Sequence, residues 1–276
     1  LALDNISLSI KKGEFFALLG KNGAGKSTAI GILTSLIQKN SGKVYIYDHD
    51  LDNNILEIKS LIGFVPQEYN FNQFESVLDI ILNQAGFYGI KRSLAYQRAK
   101  TYLNFFDLWN YKNSISITLS GGMKRRLMIV RALIHDPKIL ILDEPTAGVD
   151  ILSRRLIWKF LKDFNKNGKT IILTSHYLEE VEYLCNSVAI IDQGSILLKT
   201  KVYDLLKKFS RQKILLDVEN IELIDKLKSS KFKFMKKEKN VIEVLFLKEY
   251  NLNLLFDFLI KNNIIINNVR NEHNRL

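Results

Sequence analysis

Eight consecutive residues, Gly20-Lys21-Asn22-Gly23-Ala24-Gly25-Lys26-Ser27, bring together the groups that hold a polyphosphate chain. Three glycines let the backbone curl so that successive N–H groups point inward at phosphate oxygens. A helix opening near Lys26 adds unpaired N–H groups and the positive end of its dipole. Lys26 can reach the β- and γ-phosphates, the Ser27 hydroxyl can ligate Mg²⁺, and Thr28 continues the binding stretch into the helix. An ordinary glycine-rich turn is the plain alternative, and context argues against it. Phe15-Phe16-Ala17-Leu18-Leu19 reads as a buried strand, while Thr28, Ala29, Ile30, Ile32, Leu33, Leu36 and Ile37 have helical spacing. Strand, loop and helix in this order imply nucleoside triphosphate binding.

Two further strand ends carry chemistry. Ile139-Leu140-Ile141-Leu142 is a continuous apolar run followed by Asp143-Glu144-Pro145. Asp143 suits Mg²⁺, directly or through water, and Glu144 suits a general base that polarises a water. Alone, the pair reads equally as a surface turn; beside a phosphate loop it reads as catalytic. Thr170-Ile171-Ile172-Leu173-Thr174 is another strand, followed by Ser175-His176, and His176 there is placed to contact a γ-phosphate. Ligands of open parallel sheets gather at such carboxyl ends.

The elements that must position these groups alternate between strand and helix periods. Ile6–Ile10 alternates apolar and polar, as a half-buried strand does. Val44–Tyr47 and Ile62–Val65 read as strands, the second stopped by Pro66, with a short helix at Ile55–Lys59 between them. Residues 71–136 form a helical insertion whose last helix starts at Ser120 and stops before Pro137. Helices at Leu152–Asn165 and Tyr177–Leu184 follow, and Val188–Ile191 pairs with Ile196–Leu198 around Asp192-Gln193-Gly194. The expected fold is α/β: a P-loop NTPase core with an antiparallel β subdomain and the helical insertion, over residues 1–209. Residues 210–276 form a small α+β domain. Strands are expected at Ile214–Asp217, Phe232–Met235, Val241–Phe246 and Ile264–Val269, with helices at Ile221–Leu227 and Leu252–Lys261. That order fits a ferredoxin-like split βαβ unit.

The chain has 276 residues, 47% of them hydrophobic, enough for a substantial core. No apolar run approaches the ~18 residues of a membrane span, so in a membrane system another chain must supply the spans. The net charge of +11 would suit an acidic partner, but the lysines are spread along the chain and read as a solvated basic surface. Cys185 stands alone, which excludes an internal disulfide and fits a reducing compartment.

Leu119-Ser120-Gly121-Gly122-Met123 resembles the signature motif of ATP-binding cassette ATPases. Gln67 after a strand, Asp143-Glu144-Pro145-Thr146, Ala147-Gly148-Val149-Asp150 and His176 stand in the order that family has, over roughly residues 1–200. The wording Gly121-Gly122-Met123-Lys124-Arg125-Arg126-Leu127 and Thr146-Ala147-Gly148-Val149-Asp150, with the tail Asn274-Arg275-Leu276, is similar to the ABC-2 exporter ATPases, nearest the YadG-like group. The resemblance implies ATP and Mg²⁺ as cofactors and ATP hydrolysis coupled to transmembrane transport. It implies a head-to-tail pair of copies, each ATP lying between Gly20–Thr28 of one and Ser120, Gly121 and Gly122 of the other. A plain Ser-capped helix would account for Ser120 but not for two helix-weakening glycines. By the same resemblance, Gln67 senses Mg²⁺ or the attacking water and couples to the partner, and Asp150 communicates across the pair. The implied partner is an ABC-2 type permease, with the chain held peripherally on the cytoplasmic side of the inner membrane.

One departure concerns the adenine. The family's stacking aromatic lies upstream of Leu1, and Phe15 and Phe16 sit in the core strand, so a molecule beginning at Leu1 should bind nucleotide weakly. With no initiator Met, Leu1 stands close to the first strand, as in a trimmed chain. A soluble ATPase of the same family acting on nucleic acid or ribosomes is the competing reading, supported only by the basic charge; nucleic acid is not the expected partner.

Overall fold

Apolar runs with no polar alternation must be covered on both faces, and the central strands of this chain are built from such runs. β1 (Phe15–Leu19) leads through the glycine-rich loop to α1 (Lys26–Leu33). A two-residue hairpin, β2 (Tyr45–Ile46) and β3 (His49–Asp50), turns at Tyr47 with φ of 53°. α2 (Ile55–Leu61) and β4 (Ile62–Val65) follow. The helical insertion comprises α3 (Val77–Phe87), α4 (Arg92–Phe105) and α5 (Gly121–Leu133). The α/β alternation resumes with β5 (Ile139–Asp143), α6 (Ile151–Lys166), β6 (Thr170–Ser175) and α7 (Leu178–Leu184). An antiparallel pair, β7 (Ser187–Asp192) and β8 (Ser195–Lys201), completes the sheet.

These elements belong to a computed structural model that describes residues 2–209, 211–227, 229, 231–238, 240–247 and 251–271. Leu1 and the tail Asn274-Arg275-Leu276 lie outside the described residues. The chain divides into two compact units, Leu1–Val202 and Tyr203–Leu276.

In the first unit the sheet order is β4-β5-β6-β1-β7-β8, parallel except for β7 against β8. β5 and β6 are buried at every residue. Register sets the site. Val65 pairs with Leu142, Asp143 with Thr174, and Leu19 with Ser175. The chain therefore leaves four strands at one level, which places Gln67, Glu144, His176 and the glycine-rich loop along one edge. Phe16, Leu18, Ile30, Ile58, Ile141 and Ile172 pack beneath them.

Two expectations fail here. Ile6–Ile10 is not a strand, although Ile6, Leu8 and Ile10 are half-buried in alternation as the pattern requires. Among residues 2–10 the one backbone–backbone hydrogen bond is from Asp4 N–H to the Gly194 carbonyl, and one bond makes no ladder. Val44–Tyr47 shortens to β2 because Tyr47 is spent on the turn.

The second unit contains α8 (Val202–Phe209), which begins at the division, β9 (Arg211–Val218), β10 (Phe232–Glu238), β11 (Val241–Leu247), α9 (Leu252–Lys261) and β12 (Ile266–Asn271). Its antiparallel sheet has the order β10-β11-β9-β12. Ile214, Leu216, Ile242, Val244, Leu255 and Leu259 form its core. The helix expected at Ile221–Leu227 is instead a 3₁₀ turn over Ile221–Lys226, closed by i+3 bonds such as Leu227 N–H to the Ile224 carbonyl.

Candidate active site

The glycine-rich loop leaves β1 and re-enters regular structure at Gly25, whose φ of 107° is open to glycine and strained for any other residue. A Cβ there would also stand 2.7 Å from the Ala2 carbonyl oxygen. Among the described residues, no protein group accepts a hydrogen bond from the N–H groups of Gly23, Gly25, Lys26 and Ser27. Four unpaired donors at a helix N-terminus fit a polyphosphate. The Lys26 ammonium is buried, donating to the carbonyls of Gly20 at 2.8 Å and Lys21 at 3.0 Å. The Lys21 and Asn22 side chains are exposed, Ala24 is buried, and Ser27 and Thr28 open α1.

Glu144 is the centre of the charged groups. Its Oε1 lies 3.5 Å from Lys26 Nζ and its Oε2 lies 3.2 Å from His176 Nδ1. The carboxylate is 8% exposed, so both contacts act in a medium where charge pairs are weakly screened. Glu144 has φ of 46°, a left-handed conformation that a non-glycine residue keeps only when its surroundings enforce it. Its N–H donates to Thr174 Oγ1 at 2.9 Å, and Thr174 Oγ1 donates in turn to Asp143 Oδ1. His176 packs on Tyr177, whose N–H is fixed by Ser175 Oγ at 3.0 Å.

Gln67 is placed differently. Its side chain is exposed, and its backbone carbonyl accepts a hydrogen bond from Arg125 Nη2 at 2.6 Å, while Arg125 Nη1 donates to the Pro66 carbonyl at 2.7 Å. Arg125 lies on α5 and is buried, and burial lowers its pKa from the ordinary arginine range. The sequence reading missed both Arg125 and Thr174. An Arg five residues after Ser120, inside an otherwise helical stretch, was the hint of the first, and nothing marked the second.

Ser120 caps α5, its Oγ accepting from Met123 N–H at 3.3 Å. The N–H groups of Gly121 and Gly122 donate to no protein group among the described residues. Gly122 packs against the start of α6, where a Cβ would stand 2.8 Å from both Asp150 Oδ2 and Ser153 Oγ. Asp150 caps α6 by accepting from Ser153 N–H at 2.9 Å, which holds its carboxyl below the usual range. The structure therefore gathers Lys26, Asp143, Glu144 and His176 into one cluster. Ser120, Gly121, Gly122 and Asp150 form another, and no hydrogen bond or ion pair joins residues 120–123 to residues 20–28.

Ser27, Asp143 and Gln67 offer hard oxygen donors, the kind Mg²⁺ takes. Among the described residues no cluster of three or more His, Cys, Asp or Glu could hold a metal, so a cation here would complete its shell from phosphate and water.

The family model described as ABC transporter matches residues 3–147, just over half of the chain. The chain belongs to the ABC transporter family. It is 42% identical over 192 residues to the linearmycin resistance ATP-binding protein LnrL of Bacillus subtilis (strain 168), covering 70% of this chain and 62% of that protein. It is 37% identical over 206 residues to the Nod factor export ATP-binding protein I of Cupriavidus pinatubonensis, covering 75% of this chain and 63% of that protein. The chain thus spans less than two thirds of the length of these two relatives. Among solved structures, an ATP-binding subunit of an ABC transporter matches with a TM-score of 0.70 at 27% identity, over 75% of this chain and 87% of its own. The ATP-binding cassette MJ0796, described as dimeric in a post-hydrolysis state bound to ADP and Pi, matches with a TM-score of 0.65 at 28% identity, over 73% and 90%. The fold of this family is the α/β core described above, with its helical insertion and antiparallel strands.

Proposed function

We propose that this chain is the ATP-binding and hydrolysing subunit of an ABC-2 type exporter. The observation that carries the hydrolytic part is the convergence of Lys26 and His176 on the two oxygens of the buried Glu144. The loop N–H groups of Gly23–Ser27 and the Lys26 ammonium bind and orient the triphosphate. Ser27, Asp143 and Gln67 would hold Mg²⁺, which would supply screening of the charge on the phosphate oxygens. Glu144 takes the proton from the attacking water, and His176 holds the carboxylate in place from its Nδ1 side while facing the γ-phosphate.

Hydrolysis in this account needs a second copy. The unpaired N–H groups of Gly121 and Gly122, opening a Ser-capped helix, are suited to phosphate oxygens of a nucleotide held by another molecule. The relatives named for resistance and export, and the dimeric cassette among the structural neighbours, support this reading. Asp150, whose Oδ2 a Cβ at Gly122 would meet at 2.8 Å, would carry the state of one site to the other. No helix among the described residues is long and apolar enough to cross a membrane. The permease is proposed as a partner, with this subunit peripheral on the cytoplasmic side of the inner membrane and Gln67 coupling the two. Residues 210–276, whose strand order is that of a split βαβ unit, are proposed as a ferredoxin-like accessory domain.

Glu144→Gln tests the base assignment. The variant is expected to bind ATP with unchanged affinity while turnover falls by about 10²–10⁴-fold. Unchanged hydrolysis by this variant would remove Glu144 from the role.

A further inference from the structure

Thr174 is wholly buried in β6, opposite Asp143 in the parallel register. A Thr in a strand interior is ordinarily there for its β-branched shape, and its hydroxyl then needs only some partner. Here the two partners are consecutive residues, and both belong to the chemistry proposed above. The Glu144 N–H can only donate, so Thr174 Oγ1 must accept there. Its single proton is then committed to Asp143 Oδ1. The relay thus runs from Glu144 N–H to Thr174 Oγ1 and from the Thr174 O–H to Asp143 Oδ1.

The relay does two things. It pins the backbone N–H of a residue whose φ of 46° is strained for a non-glycine residue without such support. It also restrains the rotation of the Asp143 carboxylate by occupying Oδ1. One hydroxyl thereby ties the Asp143 carboxylate to the backbone of the base beside it. We infer that Thr174 is the positioning residue of the Asp143-Glu144 pair, acting through these two hydrogen bonds and not by contact with nucleotide. The inference rests on the hydrolytic reading given under Proposed function.

Two pairs test it, because in each the hydroxyl is removed, by exchange for a methyl or for hydrogen: Thr174 against Thr174→Val, and Thr174→Ser against Thr174→Ala. In the full chain without nucleotide, hydrogen exchange at the Glu144 amide should be faster in the Val and Ala variants than in the wild type and the Ser variant. With magnesium-ATP, the Val and Ala variants should lose about tenfold or more in kcat relative to their hydroxyl-bearing partners, with KM for ATP changed less than about twofold. They should also need more Mg²⁺ for half-maximal rate. The Ser variant should keep its kcat even where its Tm falls through the lost methyl group. If one pair contains a variant that does not fold, the other pair decides. Equal exchange and equal kcat within a pair, or a Ser variant as slow as the Val variant, would overturn the role of Thr174 while leaving the ATPase reading intact. A wild-type chain without turnover would overturn that reading and the role of Thr174 with it.

Discussion

Side chains that carry charge for the proposed reaction were legible from type and position, because a carboxylate or ammonium at a strand's carboxyl end has few structural uses. Lys26, Asp143, Glu144 and His176 were singled out that way, and the register of β1, β5 and β6 brings them to one level. Thr174 was not legible, since a Thr inside an apolar strand looks the same whether or not its hydroxyl has work. His135 makes a prediction at this scale. Its ring stacks on Tyr88 with centroids 3.8 Å apart, its Nε2 lies 3.0 Å from the Ile62 carbonyl oxygen, and burial pushes its pKa down to about 4. The folded chain therefore refuses a proton that the unfolded chain accepts at its ordinary value near 6.5. Stability unaffected above pH 6.5 should fall as the pH drops from 6.5 towards 4, by about 2 kcal/mol after allowing for screening on the ring's open side. Chemical denaturation across this range should show the slope, and His135→Gln should flatten it. An equal slope in the variant would assign the acid sensitivity elsewhere.

Elements were read best where their period was long and their ends were marked. α5 begins one residue after its Ser120 cap and α9 occupies Leu252–Lys261 as its pattern required. The misreadings have physical causes. Ile6–Ile10 has the alternation of a strand but lacks a neighbour to bond with, and strand pairing is a property of two segments. Ile221–Lys226 has apolar residues three apart at Ile221 and Ile224, which serves a 3₁₀ turn as well as an α-helix. Contacts between elements were the least visible. Glu180 on α7, 2% exposed, accepts at one oxygen from Thr146 Oγ1 at 2.7 Å and from Trp158 Nε1 at 3.1 Å. It thus ties the turn after Glu144, the helix after Asp150 and the helix after His176. Trp158→Phe keeps most of the packing and removes one donor, so thermal or chemical unfolding should show a loss of about 1–3 kcal/mol. A change within about 0.3 kcal/mol would mean that this bond is replaced by water at little cost.

On the scale of the whole chain, among the described residues one hydrophobic cluster gathers around Phe16 and Ile141 and another around Leu216 and Val244. The compact units part between Val202 and Tyr203, at the start of α8, earlier than the boundary expected after residue 209. Within the first unit the two clusters of site residues, one around Glu144 and one around Gly122, have no bond between them, and the proposed function makes each half of a site completed by another copy. Sedimentation of the full-length Glu144→Gln chain, with magnesium-ATP and with ATP plus a chelator, measures this directly. The account predicts that magnesium-ATP, and not ATP alone, converts the chain to a dimer, and that Ser120→Arg in the same chain abolishes the conversion without abolishing ATP binding. A Glu144→Gln chain that stays monomeric when saturated with magnesium-ATP, with the permease present as well as absent, would contradict it.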